Sequence, residues 1–149
     1  MKKTIKKLSK NNKKFFYVQE WGSYTNQTLV CVGMTANEIV SASKKLKSDK
    51  EFIDFLDKDI RDEVDKLQID GSNGMFTEKN GASLLWLKVW ENTWKSTGVL
   101  IHELSHAIYM ILDKSKGMMD EVEAKAYQQE YLFHQIRSKL DNHFFPKKR

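Results

Sequence analysis

Residues 97–112 read TGVLIHELSHAIYMIL, a stretch of helix length with no breaker after Gly98. Leu100, Ile101, Leu104, Ala107 and Ile108 predict a helix embedded in apolar surroundings. Inside it stand His102, Glu103, Leu104, Ser105 and His106. Residues four apart on a helix differ by about 40° of rotation and about 6 Å of rise. The two imidazoles therefore converge on one point beside the helix, and Glu103 stands one step round the cylinder. Two histidines and a carboxylate are costly in an apolar setting unless something pairs with them.

That spacing suits a zinc ion, which takes histidine nitrogen at about 2.0–2.1 Å. Glu103 is too near His102 to be the third ligand but can reach a metal-bound water, so the pattern encodes two ligands and a general base. A catalytic zinc takes a third protein ligand and leaves its fourth position open. A third histidine five residues after His106 is absent, since Leu112 stands there. Residues 120–127 (DEVEAKAY) open the next helical stretch, which runs to about residue 140 with Val122, Ala126, Phe133, Ile136 and Leu140 at helical spacing. Glu123 is the favoured third ligand, because Ala124 and Ala126 let two helices approach closely. Asp120, Glu121, Glu130 and His134 compete with it. Asp120 and Glu123 also make an N-terminal capping pattern, in which Glu123 bonds backbone instead. Tyr127, Tyr109 and His134 are the candidates for stabilising an oxyanion.

Upstream, residues 15–21 (FFYVQEW) and 28–33 (TLVCVG) are aromatic and β-branched with turn residues between, which predicts a hairpin or two neighbouring strands. Thr35 and Glu38 form a capping box that opens a helix to about Lys47, and Ser48 and Glu51 repeat the device. Residues 59–69 are ambiguous. Asp70-Gly71 and Asn80-Gly81 are turn signals. Residues 82–90 (ASLLWLKVW) are apolar on both faces, as in a strand covered on two sides. The order strand, strand, helix, strand, helix, helix predicts an α+β domain with a small mixed or antiparallel sheet. Met110, Met118 and Met119 read as core filler, and Cys31 as a buried hydrophobe. Trp86, Trp90 and Trp94 read either as core or as the lining of a peptide groove. His143 has no partner that the sequence reveals.

The 149 residues fit one domain, with 40% hydrophobic and 11% aromatic residues. That composition excludes disorder and low-complexity classes. One cysteine excludes an internal disulfide and a multi-cysteine zinc finger. The net charge of +5 is unevenly spread. Residues 1–14 carry seven lysines and no acid, and residues 147–149 add three positives. Without those ten, residues 15–146 hold 15 positive and 20 acidic residues, a folded part that is net acidic with basic tails. Such a tail is a solvated end or a contact for nucleic acid, anionic lipid or an acidic partner. No stretch approaches a membrane span, and Ile5 and Leu8 among lysines make no signal-peptide core. The expectation is a cytoplasmic protein.

The motif His102–His106, followed by Glu123, Ala124, Lys125, Ala126 and Tyr127, resembles the zincin metallopeptidase clan in its glutamate-ligand branch. It looks most like small single-domain zincin-like proteins of bacteriophages and prophages and the minigluzincins. The likeness is specific over residues 97–133 and only architectural over 15–96. It implies His102, His106 and Glu123 as zinc ligands and Glu103 as base. It implies that residues 82–90 form the sheet edge that holds an extended peptide, and that the protein works in bacterial or phage-infected host cytosol. The aspartate that larger relatives carry four residues after the ligand glutamate is Tyr127 here. Two other classes stand beside a zinc metallopeptidase. One is a zinc-stabilised binding protein without activity, which has no need of Glu103. The other is a nucleic-acid-associated protein using residues 1–14, whose binding would fall steeply with salt.

Overall fold

Phe15–Trp21 (β1) and Tyr24–Val32 (β2) pair antiparallel, with Phe15 opposite Val32 and Glu20 opposite Gln27. The chain is known here as a computed structural model that describes residues 14–45, 49–79 and 81–147, with backbone alone at 67–70. The predicted basic tails lie outside the described residues, except for Lys14 and Lys147. β2 begins earlier than residue 28, so Asn26 and Gln27 are strand residues and not part of the connection.

Ala36–Lys45 (α1) opens on the expected capping box. The Glu38 N–H donates to Thr35 Oγ1 at 3.3 Å, and the Thr35 N–H donates to Glu38 Oε1 at 3.1 Å. The second cap is Asp49, whose carboxylate accepts from the Glu51 N–H at 2.8 Å; Ser48 lies outside the described residues. Lys50–Phe55 (α2) continues through a wider turn at Leu56–Ile60 into Arg61–Asp70 (α3), so the ambiguous segment is helical. Trp94–Ile108 (α4) starts earlier than residue 97 because Thr93 accepts from the Ser96 N–H at 3.3 Å. It runs on through a wider turn, Tyr109–Ser115. Val122–Phe144 (α5) completes the chain.

Between the helices lie Gly74–Lys79 (β3) and Ala82–Leu87 (β4), an antiparallel pair joined at Gly81, whose φ of +87° suits glycine. β3 was not foreseen. The four strands form one mixed sheet in the order β1-β2-β4-β3, with β2 and β4 parallel. The class is therefore α+β. The placement of residues 82–90 at the sheet edge is corrected. Residues 82–87 form an interior strand whose two sides are filled by β2 and β3, and the edge beside α4 is β3.

Alternation splits the core into two. Val30, Val32, Phe76, Leu85 and Leu87 pack with Leu100, Leu104, Ala107, Leu132 and Ile136 of α4 and α5. Leu29, Cys31, Leu84 and Trp86 face the other way, onto Ile39, Phe52, Leu56 and Val64 of α1–α3. Strand β4 feeds both, which is why it reads as a continuous apolar run. Trp86 is core and donates from Nε1 to the Met34 carbonyl at 3.0 Å. Trp90 is buried against Asp141 Oδ1 at 2.8 Å. Trp94 is 94% exposed, and Met119, read as core filler, is exposed as well. His143 does have a partner: its ring stacks on Phe15, centroids 4.1 Å apart. Among the described residues no helix is long and apolar enough to cross a membrane.

Candidate metal centre

Helix α4 is amphipathic, and its rotation is set by Leu100, Leu104, Ala107 and Ile108, all buried against the sheet. The opposite side carries His102, Ser105 and His106 into solvent. Ile101, expected within the apolar surroundings, is half exposed. The two imidazoles converge: His102 Nε2 and His106 Nε2 stand 3.1 Å apart, with ring planes at 80°. Two nitrogens at that separation, each about 2.05 Å from one ion, subtend about 100° there, close to a tetrahedral angle. The two nitrogens therefore suit two of the four positions of a tetrahedral ion.

Glu103 turns the other way, toward the edge of the sheet, and is only 6% exposed. Burial pushes its carboxyl above the ordinary carboxylate range. The charges of His106 and His102 and the nearby backbone N–H of Phe76 offset part of that rise. The approach is close because residue 74 is glycine. A Cβ at Gly74 would stand 2.8 Å from Val99 Cγ1 and 3.1 Å from Glu103 Cγ. Glu103 and His106 open into a cavity of about 440 Å³, whose other walls are Gly74, Met75, Phe76, Met110, Glu63 and Lys66. This is a cleft with one histidine of the pair, His106, and a buried acid in its wall and a strand edge along it.

Reasoning from sequence missed the strand and helix that complete this cleft. The signal for β3 was present: Asn80-Gly81 stands between an apolar strand and a short run, Met75-Phe76-Thr77, that can pair with it. Nothing local marks Glu63 and Lys66, through which α3 lines the same cleft as β3.

The third predicted ligand is placed elsewhere. On α5 the side chains of Gln128, Leu132, Ile136 and Leu140 are buried. At about 100° per residue, Glu123 lies roughly 160° round the helix from the Leu132 and Ile136 side. It is exposed, as is Tyr127 at 67%. Glu130 and His134 share that outward side and pair with each other at 3.7 Å. The N-cap of α5 is Glu121, not Asp120, and it makes no side-chain cap hydrogen bond. The first turn of α5 is tied down by Lys125, which pairs with Asp113 at 2.6 Å and donates to the Met119 carbonyl at 3.2 Å. Gln129, not a carboxylate, meets α4, donating to Ser105 Oγ at 3.0 Å. Among the described residues, no three histidine, cysteine, aspartate or glutamate side chains are grouped so as to hold an ion. The structure thus brings His102 and His106 together, turns the adjacent Glu103 inward to the cleft, and leaves Glu123 and Tyr127 exposed on α5. No family model matches this chain, and neither does any curated protein or solved structure.

Proposed function

We propose that this protein is a small zinc-dependent peptidase. The observation that carries the reading is a convergent histidine pair next to a buried glutamate, with His106 and Glu103 both lining a cleft along a sheet edge. His102 and His106 would hold the metal through their Nε2 atoms. Bound zinc supplies Lewis acidity, which lowers the pKa of water and polarises a carbonyl. Glu103 takes a proton from the attacking water and returns it to the leaving nitrogen. Its burial favours that double duty by raising its proton affinity. An extended peptide lies along β3, and not along residues 82–90, because β3 is the strand that borders the cleft. A purely structural zinc staple would have no use for an acid at residue 103.

Elemental analysis of the purified protein tests the metal half of the reading, with one zinc per chain expected and its loss in His106→Ala. Glu103→Gln should retain zinc and lose hydrolysis of unstructured peptides. A zinc-free wild type after loading, or full hydrolysis by Glu103→Gln, sinks the proposal. Glu123 joins the ligand set only with a rotation of the first turn of α5. Wild-type zinc affinity in Glu123→Ala would remove it from that set.

A further inference from the structure

We propose that two copies of this chain close face to face over a single zinc ion when zinc is scarce, each contributing His102 and His106. The shared ion is withheld from catalysis until further zinc separates the pair. This rests on the metal half of the peptidase reading and adds a regulation of that site.

The histidine pair is half of a coordination shell. His102 and His106 hold their Nε2 atoms 3.1 Å apart, and both side chains stand in solvent. Zinc in proteins is four-coordinate and tetrahedral in its closed sites. Among the described residues, no third histidine, cysteine, aspartate or glutamate completes a group with the pair. Glu103 is buried on the other side of α4, and Glu123 is exposed on α5. A second copy brings an identical pair. Two such pairs about a two-fold axis supply four nitrogens to one ion, and a two-fold contact uses the same patch on both copies.

The surface around the pair suits its own copy. At 100° per residue, Trp94, Gly98, Ile101 and Ser105 fall within about 60° of the circumference of α4, and the two histidines follow on the same side. A two-fold contact sets a face against itself, so a charged face repels its twin. Here the outward residues from Gly98 to Tyr109 are Gly98, Ile101, His102, Ser105, His106 and Tyr109, none of them an acid, a lysine or an arginine. The acid in that stretch, Glu103, is turned inward. This is an unusual length of bare surface in a chain that is 30% charged. Trp94, Ile101 and Tyr109 leave apolar area open to water along it, which marks an interaction surface. At Gly98 a Cβ would meet nothing within 4 Å, so another backbone can approach closely there. An ion held by four histidine nitrogens has no position left for water, so the shared form is inactive. When zinc is plentiful each pair takes its own ion and the two copies part.

The test is sedimentation velocity on the full chain, stripped with a chelator and titrated with zinc chloride. Without zinc the chain should be monomeric. The mass should double, with the dimer most abundant near one zinc per two chains, and return to monomer as zinc passes one per chain. His106→Ala should stay monomeric throughout. Gly98→Lys puts a charge on the proposed face at a position with room for the side chain, so the fold is spared. It should take up one zinc per chain by elemental analysis and stay monomeric at every ratio. A wild type that binds zinc yet never dimerises overturns the proposal and leaves the peptidase reading standing. A dimer that survives the chelator or saturating zinc overturns it too, because the shared ion is then not what joins the copies. So does a dimer that forms equally well in Gly98→Lys, which would place the contact elsewhere. Absence of zinc uptake at any ratio removes this proposal and the metal half of the peptidase reading together.

Discussion

Glu103 and His106 are three residues apart on one helix, yet one is sheltered and the other is open to water. That division of labour gives two expected outcomes. Glu103→Gln should leave zinc content intact and reduce hydrolysis by at least about a hundredfold, the lower range for loss of a general base. His106→Ala should lose the metal and the activity together, as read by elemental analysis and a peptide-cleavage assay on one preparation. The pair and the acid were legible in the sequence, since a spacing of four on a helix is local geometry. The burial of Glu103 was not, because it depends on β3, a strand outside the motif.

Strand β3 and helix α4 meet through Gly74. Gly74→Ala places a methyl group 2.8 Å from Val99 Cγ1, and either the helix or the strand has to move. The expected cost is about 1–3 kcal/mol, the usual range for overpacking. Urea unfolding should show it. A second element-scale outcome concerns α1. Glu38 loses some hydration on burial, which raises its pKa. Lys14, 2.9 Å away, and the N–H and hydroxyl of Thr35 outweigh that and hold its carboxyl below the ordinary range. A lowered folded-state pKa contributes stability above the unfolded value and loses it as pH falls through the folded one. Glu38→Gln should therefore be less stable than the wild type at neutral pH. The two should converge in acid below the usual carboxylate range, as read by denaturant midpoints at both pH values. The capping box was readable because both of its residues lie within four positions. The cap at Asp49 was harder to place, because Ser48 beside it offers the same chemistry.

For the whole molecule, β4 is the member common to both halves of the core. Leu85 and Leu87 belong to the side of α4 and α5, and Leu84 and Trp86 to the side of α1–α3. Unfolding should consequently be one cooperative transition, with far-ultraviolet circular dichroism and tryptophan fluorescence coinciding. Trp86→Ala should lower stability by about 3–5 kcal/mol, since it empties a large buried volume and strips a hydrogen bond from the Met34 carbonyl. Two separate transitions would show that the faces fold independently.

The sequence by itself determined the motif helix, its neighbour in the chain, the buried run at residues 82–87 and the α+β class. Each is written in periodicities and caps that span a few residues. Tertiary structure alone decided which strand is the edge, because strand order comes from pairings such as β2 with β4, more than fifty residues apart. It also decided the rotation of α5. Leu132, Ile136 and Leu140 bury one stripe of that helix and thereby turn Glu123 outward, and packing against the sheet outweighs any local preference of a single carboxylate.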